Sequence, residues 1–106
     1  MKEYEVLISD LAREDLRSIY DYVCQISYDE NATMVVGRIL SKIASFKTAP
    51  ERTEPFAEDF DGHQLRYVVA GRYRVIYTVD RANAKVAIVR IFSVGRDYHN
   101  LLATIS

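Results

Sequence analysis

The last third of this 106-residue chain contains four side chains with the chemistry that phosphate groups require: Arg66, Arg74, Arg96 and His99. Cleavage of RNA by its own 2′-hydroxyl, without a metal ion, needs cations that stabilise charge on the phosphate and groups that move protons. Arg74 is the best candidate for the phosphate contact, because a guanidinium fork matches phosphate oxygens. We expect Arg66 and Arg96 to converge on it. The imidazole of His99 titrates near neutral pH and suits a general acid or base.

The same residues also have plainer interpretations. Residues 1–61 contain 7 Lys/Arg against 13 Asp/Glu (−6), and residues 62–99 contain 7 against 2 (+5), which together give the net charge of −1. A basic half of this kind predicts either an anionic partner for one face or internal pairing with the acidic half. Arg74 is then a phosphate ligand or a member of a surface ion pair, and His99 a catalytic group or a solvated residue.

Hydrophobic spacing predicts the elements that position these residues. Tyr4 to Ile8 alternates as a strand does, and apolar residues at three- and four-residue steps predict a helix from Leu11 to Ile26, capped by Ser9 or Asp10. A second stripe predicts a helix that begins near Asp29 or Asn31 and ends before Pro50. Two amphipathic helices with a short linker form an antiparallel hairpin, whose apolar side needs a sheet to cover.

Beyond the hairpin the period changes to two. Acidic residues 51–61 are predicted to form a surface loop, and Tyr73 to Val79 a strand with Tyr73 and Tyr77 packed under the helices. Ala70-Gly71 is the predicted turn before that strand, and residues 80–84 form the next turn, with Asn83 at positive φ. Residues 86–92 form the last strand. The sequence therefore predicts one α+β domain over residues 1–106, ordered β-α-α-β-β-β, with a helical hairpin covering an antiparallel sheet.

Composition limits the remaining possibilities. Cys24 is the only cysteine, so we expect no disulfide and a reducing, cytoplasmic location. The two histidines and one cysteine form no zinc motif, and we expect neither a metal nor a cofactor. No secretory signal or membrane-spanning run is apparent.

Over nearly its whole length the sequence resembles the RelE/ParE family of bacterial toxins from type II toxin–antitoxin pairs. The resemblance rests on the order and spacing of five segments: Asp15 through Tyr22, Pro50, Leu65-Arg66, Tyr73 through Tyr77, and Ser93 through Asp97. It implies a cognate antitoxin as a partner. It also implies one of two targets, since RelE-like members cut mRNA on the ribosome and ParE-like members bind and poison DNA gyrase.

The resemblance also assigns candidate roles. Arg74 matches the arginine that follows a tyrosine in the RelE strand motif, and Tyr98 and His99 resemble the histidine or tyrosine of the segment that follows the last strand. Two features depart from RelE: residues 63–69 contain no lysine, and residues 101–103 lack the late tyrosine. These departures and the long hairpin favour a ParE-like gyrase inhibitor. The alternative is a metal-free, ribosome-dependent endoribonuclease that uses Arg74 and His99, with Arg66, Arg96 and Tyr98.

The predicted sheet offers the antitoxin a docking face. We expect the face away from the helices to present Arg66, Arg74 and Ile76. We expect an amphipathic antitoxin segment to lie across the helical hairpin and the sheet edge and to pair its acids with these arginines.

Overall fold

A computed structural model describes residues 3–53, 55–60 and 62–94 of the chain. In this part, a hairpin of two helices lies on a five-stranded sheet, and the predicted α+β fold is confirmed. The elements are β1 (Glu5–Ile8), α1 (Asp10–Ile26), α2 (Asp29–Ser45), β2 (Pro55–Phe60), β3 (His63–Ala70), β4 (Tyr73–Asp80) and β5 (Lys85–Ser93). Neither described helix combines the length and hydropathy of a membrane span.

Ser9 begins α1 and also attaches it to the sheet. Its side-chain oxygen accepts a hydrogen bond from the Ala12 amide at 3.0 Å, as the sequence predicts for an N-cap. The same hydroxyl donates to the Val89 carbonyl at 2.9 Å. One side chain therefore satisfies a helix end and fixes that end against β5.

The second helix begins differently from the prediction. Its N-cap is Tyr28, which makes no side-chain capping bond. Asp29 already lies inside the first turn, where its charge complements the helix dipole, and the Asn31 amide donates to the Ser27 hydroxyl instead. Neither predicted residue caps the helix, because the chain enters the helical conformation at Asp29 and both residues already lie inside it.

The strands are arranged in the order β1-β5-β4-β3-β2. The pairs β3–β4 and β4–β5 are antiparallel as predicted, and β2–β3 is an additional antiparallel pair, whereas β1 pairs with β5 in parallel. The difference has a topological reason. Tight turns make the later strands antiparallel to one another. The whole helical hairpin follows β1, so no turn fixes the direction in which β1 pairs.

The acidic segment predicted as a loop contains an additional strand. Residues 55–60 pair with β3, with a register shift between Pro55 and Asp59. Proline is tolerated here because it is the first residue of an edge strand, where its missing N–H breaks no ladder. The strand is held by backbone pairing at the sheet edge, so it shows no alternating hydrophobic pattern in the sequence.

Both predicted turns are present, one with a different geometry. Gly71 has φ of 64° between β3 and β4, a conformation that glycine adopts without strain. In the β4–β5 turn the positive φ, 54°, falls on Ala84 and not on Asn83. Asn83 instead donates its amide and side-chain N–H groups to the Asp80 carboxylate at 3.1 and 2.8 Å, and these bonds lower the pKa of Asp80.

The core lies between the hairpin and one face of the sheet. Tyr73 and Tyr77 face the helices there, as predicted, and Tyr77 is completely buried. The opposite face also contains buried residues, among them Leu65, Ile76 and Phe92. Ile76 is 0% exposed, so the expectation that it is offered to an antitoxin is wrong.

We predict that Ser9→Ala lowers the free energy of unfolding by about 1–2 kcal/mol, because it removes both the cap of α1 and the bond to Val89. Urea denaturation followed by circular dichroism measures this. Ser18→Ala, on the exposed side of α1, is the matched control and should change stability by less than about 0.5 kcal/mol. Equal effects of the two changes would contradict the role of Ser9.

Candidate functional site

Arg74 lies on β4, on the face turned away from the helices. It is opposite Val69 of β3 and Phe92 of β5. Its Cζ atom lies 5.1 Å from the centre of the Tyr67 ring, a distance at which a cation is attracted to an aromatic face. The half-buried guanidinium is thereby held above a tyrosine on a rigid sheet.

Arg66 lies on the other face. It pairs in register with Tyr77, which faces the helices, whereas Arg74 is three residues from Tyr77 and therefore points away. Its Nη1 donates to the Thr53 carbonyl, and its Nη2 lies 3.7 Å from the Glu51 carboxylate. The expected convergence of Arg66 on Arg74 is wrong. Arg66 is paired with Tyr77, which lies three positions from Arg74 on β4, and residues an odd number of positions apart on a strand point to opposite faces.

Three predicted site residues, Arg96, Tyr98 and His99, lie outside the described residues. Their catalytic roles therefore remain predictions.

Arg66 belongs to a polar cluster that holds the segment after α2 against the sheet. The Tyr77 hydroxyl donates to the Pro50 carbonyl at 2.7 Å and lies 2.6 Å from the Thr53 hydroxyl. Burial raises the pKa of this phenol, so it stays protonated and keeps its donor. The Glu51 carboxylate accepts hydrogen bonds from the Arg81 guanidinium and also faces Arg66. The bond from Arg81 holds the pKa of Glu51 below its ordinary value.

A second polar contact joins α1 to the edge of β5. The Asp15 carboxylate receives Nε and Nη2 of Arg90 at 2.8 and 2.9 Å, and it also accepts the Ile91 backbone amide at 2.8 Å. β1 pairs with β5 only from Lys85 to Ile88, so the carboxylate satisfies a backbone donor beyond the end of that pairing. Hydrogen bonding to the Asp15 carboxylate raises the pKa of Arg90.

The hairpin, the β3–β4 turn and the end of β5 enclose an open groove of about 1270 Å³. Exposed apolar side chains line it, including Tyr22 and Ile26 of α1, Met34 of α2 and Val94 after β5. Arg38 and Arg72 add positive charge to the lining. A groove with apolar walls and cationic groups can accept an amphipathic segment of another protein.

The sequence predicted an antitoxin contact across the hairpin and the sheet edge, but it did not identify the residues that line this groove. Tyr22 and Ile26 continue the apolar spacing of α1, but they extend beyond the area that the sheet covers. The sequence did contain a signal for the groove, because the apolar stripe of α1 is wider than the area that the predicted sheet covers.

Known proteins match this chain over most of its length. A family model described as the ParE toxin of the type II toxin–antitoxin system parDE matches residues 6–98. No significant match is found among curated protein sequences.

Three solved structures show a similar fold. A chain of the chromosomal ParDE system from P. aeruginosa superposes with a TM-score of 0.72 at 18% identity, covering 87% of this chain and 97% of that one. A chain of the RelE–RelB complex from Pyrococcus horikoshii gives 0.65 at 21% identity, covering 89% and 98%. A double arginine-to-alanine variant of the E. coli toxin RelE in the free state gives 0.64 at 12% identity, covering 98% and 99%.

We predict that Glu51→Gln lowers stability at neutral pH and that the loss disappears in acid. The folded-state pKa of Glu51 is depressed, so its contribution is present above the unfolded value of about 4.3 and is lost as the pH falls through the lower folded value. Urea midpoints measured from neutral pH downward should converge for the two proteins. Glu3→Gln, at an exposed position before β1, is the control and should parallel the original chain at every pH. A constant difference for Glu51→Gln would contradict the role of its charge.

Proposed function

The chain belongs to the ParE toxin family of type II toxin–antitoxin systems, and from this we propose that it inhibits DNA gyrase by binding and without catalysing a reaction. The family match is the observation on which the proposal rests. ParE-like members of the wider RelE/ParE group act on gyrase, and the departures from RelE in residues 63–69 favour the same assignment.

The placement of the arginines supports a binding function. Metal-free RNA cleavage requires several cations around one phosphate. Arg66, which the sequence suggested as the neighbour of Arg74, is on the opposite face and is bound to Thr53 and Glu51. Its side chain is only 15% exposed. Arg66 therefore serves the fold and is not available to an RNA phosphate beside Arg74.

The proposal includes a cognate antitoxin that docks in the groove between the hairpin and the sheet. The similar structures from P. aeruginosa and P. horikoshii come from a ParDE system and a RelE–RelB complex. On this chain, the face first expected to receive the antitoxin is unsuitable because Ile76 is buried and Arg66 is engaged elsewhere. The groove offers exposed apolar walls and two arginines, which suit apolar anchors and acids on one amphipathic helix.

The alternative function, a ribosome-dependent mRNA endoribonuclease, is favoured by one observation. Arg74 is held over Tyr67, and this arrangement could receive a phosphate and an adjacent base. His99, Arg96 and Tyr98 would complete that site.

We predict that the purified protein inhibits gyrase supercoiling and leaves mRNA on programmed ribosomes intact. Arg74→Ala should leave the gyrase inhibition unchanged. Cleavage in the A-site codon that falls by about 10²–10³ in Arg74→Ala would instead establish the nuclease. A fall of about 10²–10⁴ in His99→Ala would identify its general acid or base.

We predict that Tyr22→Ala weakens antitoxin binding by about 2 kcal/mol, because an aromatic anchor in a desolvated groove contributes strongly to binding. Isothermal titration calorimetry with the cognate antitoxin measures this. Tyr28→Ala is the matched control: Tyr28 is 65% exposed, against 56% for Tyr22, but does not line the groove. Equal losses, or none, would place the antitoxin elsewhere.

A further inference from the structure

The accessible positive charge of the folded chain lies in a different place from the one that the sequence suggests. The sequence is basic in its sheet half, yet four sheet cations are paired with carboxylates: Arg66 and Arg81 with Glu51, Lys85 with Glu5, and Arg90 with Asp15. Internal pairing between the two halves, one of the two interpretations of the sequence, is present. The positive charge that remains accessible is therefore located elsewhere.

That charge lies on the second half of α2. Residues 31–50 contain three cations, Arg38, Lys42 and Lys47, and no carboxylate. Arg52 follows, and Arg72 is exposed on the β3–β4 turn. Within residues 3–53, 55–60 and 62–94, the recorded ion pairs include none of these five cations.

Part of this charge lines a cleft of about 770 Å³ between α2 and the β3–β4 turn, which we call the cationic cleft. The α2 residues that line the cleft recur at three- and four-residue steps and so lie on one face of the helix. On this side lie Gly37, Arg38, Ser41, Lys42 and Ser45, and Arg52 from the segment after α2 also lines the cleft. Arg38 and Lys42 are about 6 Å apart along the helix axis, one turn at 1.5 Å per residue.

Arg52 is positioned in the cleft by neutral groups. Its Nε donates to the Ala49 carbonyl at 3.3 Å, and its Nη2 donates to the Ser45 hydroxyl at 3.0 Å. These bonds orient the guanidinium without neutralising it. An ordered cation with neutral partners is suited to an external anion.

Gly37 gives an independent indication that something approaches the helix closely. Glycine in a helix interior is destabilising relative to alanine, and it is usually kept for a special backbone angle or a close contact. Gly37 has no positive φ, and a Cβ at this position would meet nothing within 4 Å. Nothing in the described part of the chain explains the glycine, whereas a partner lying against the helix backbone does.

We propose that the cationic cleft binds the phosphate backbone of duplex DNA. This inference rests on the proposed function and extends it, since gyrase acts on DNA and an inhibitor could contact enzyme and DNA together. The cleft favours phosphate over an acidic peptide because three cations and two hydroxyls line it beside only two apolar side chains, Met34 and Ala70, whereas a peptide helix needs the larger set of apolar anchors that the neighbouring groove provides.

Fluorescence anisotropy with a short random-sequence duplex, measured over a series of KCl concentrations, tests the proposal on the full chain without gyrase. Contacts from the three cations of the cleft, Arg38, Lys42 and Arg52, predict a slope of about −2.7 for log K against log[salt]. The double variant Arg38→Gln/Lys42→Gln should bind more weakly, with the slope reduced to about −0.9. The matched control is Arg13→Gln/Arg17→Gln, which removes two exposed cations from α1 and should retain the original slope.

Gly37→Ala should weaken DNA binding while the melting temperature is maintained or raised, because alanine is the better helix former. Equal slopes for the two double variants, or unchanged affinity in Gly37→Ala, would overturn the proposal. Tighter binding of single-stranded RNA than of the duplex would reassign the cleft to RNA. Loss of antitoxin binding in Lys42→Gln, a residue that lines the cleft and not the groove, with DNA affinity unchanged, would reassign the cleft to an acidic antitoxin segment.

The outcome is separable from that of the proposed function. DNA binding through the cleft without inhibition of supercoiling would refute gyrase inhibition and leave the cleft assignment intact. Inhibition of supercoiling without DNA binding would refute the cleft assignment and leave gyrase inhibition intact.

Discussion

The buried phenol of Tyr77 is the contact on which the arrangement of helices and sheet depends. Its ring stacks on Phe46 with centroids 4.1 Å apart, and its hydroxyl is bonded to Pro50 and Thr53. A buried hydroxyl without partners would cost free energy, so the chain after α2 must pass over this point of the sheet. That path places Thr53 and Glu51 beside Arg66, and it brings Arg52 to the end of α2, where Arg52 binds Ser45. The engagement of Arg66 and the position of the cationic cleft both follow from this constraint.

Local and periodic features of the fold were predictable from the sequence. The Ser9 cap, the two apolar stripes and the inward alternation of Tyr73 and Tyr77 follow from short-range geometry. The side occupied by Arg66 was predictable too, because a two-residue turn at Gly71-Arg72 places Arg66 opposite Tyr77 and so on the face that excludes Arg74.

The missed features depend on contacts between distant residues. The Asp15 carboxylate accepts a backbone amide 76 residues away, and no local pattern indicates that bond. β2 pairs with β3 at an edge of the sheet, where side chains need not alternate. For the candidate site, the sequence placed Arg74 on the outer face of the sheet but could not show that carboxylates neutralise other sheet cations. The cationic surface on α2 becomes visible only after those pairs are known.

The parallel pairing of β1 with β5 has a consequence for how the toxin is made. Glu5–Ile8 is synthesised first, but its partner residues, Lys85–Ile88, follow about 80 positions later, as does the carbonyl bound by Ser9. Contacts this distant in sequence form late, because the intervening chain must be ordered first. The nascent chain therefore cannot assemble its sheet until translation has passed β5. During most of its own synthesis the polypeptide lacks a finished sheet, and so it lacks the folded surface that a partner protein would recognise.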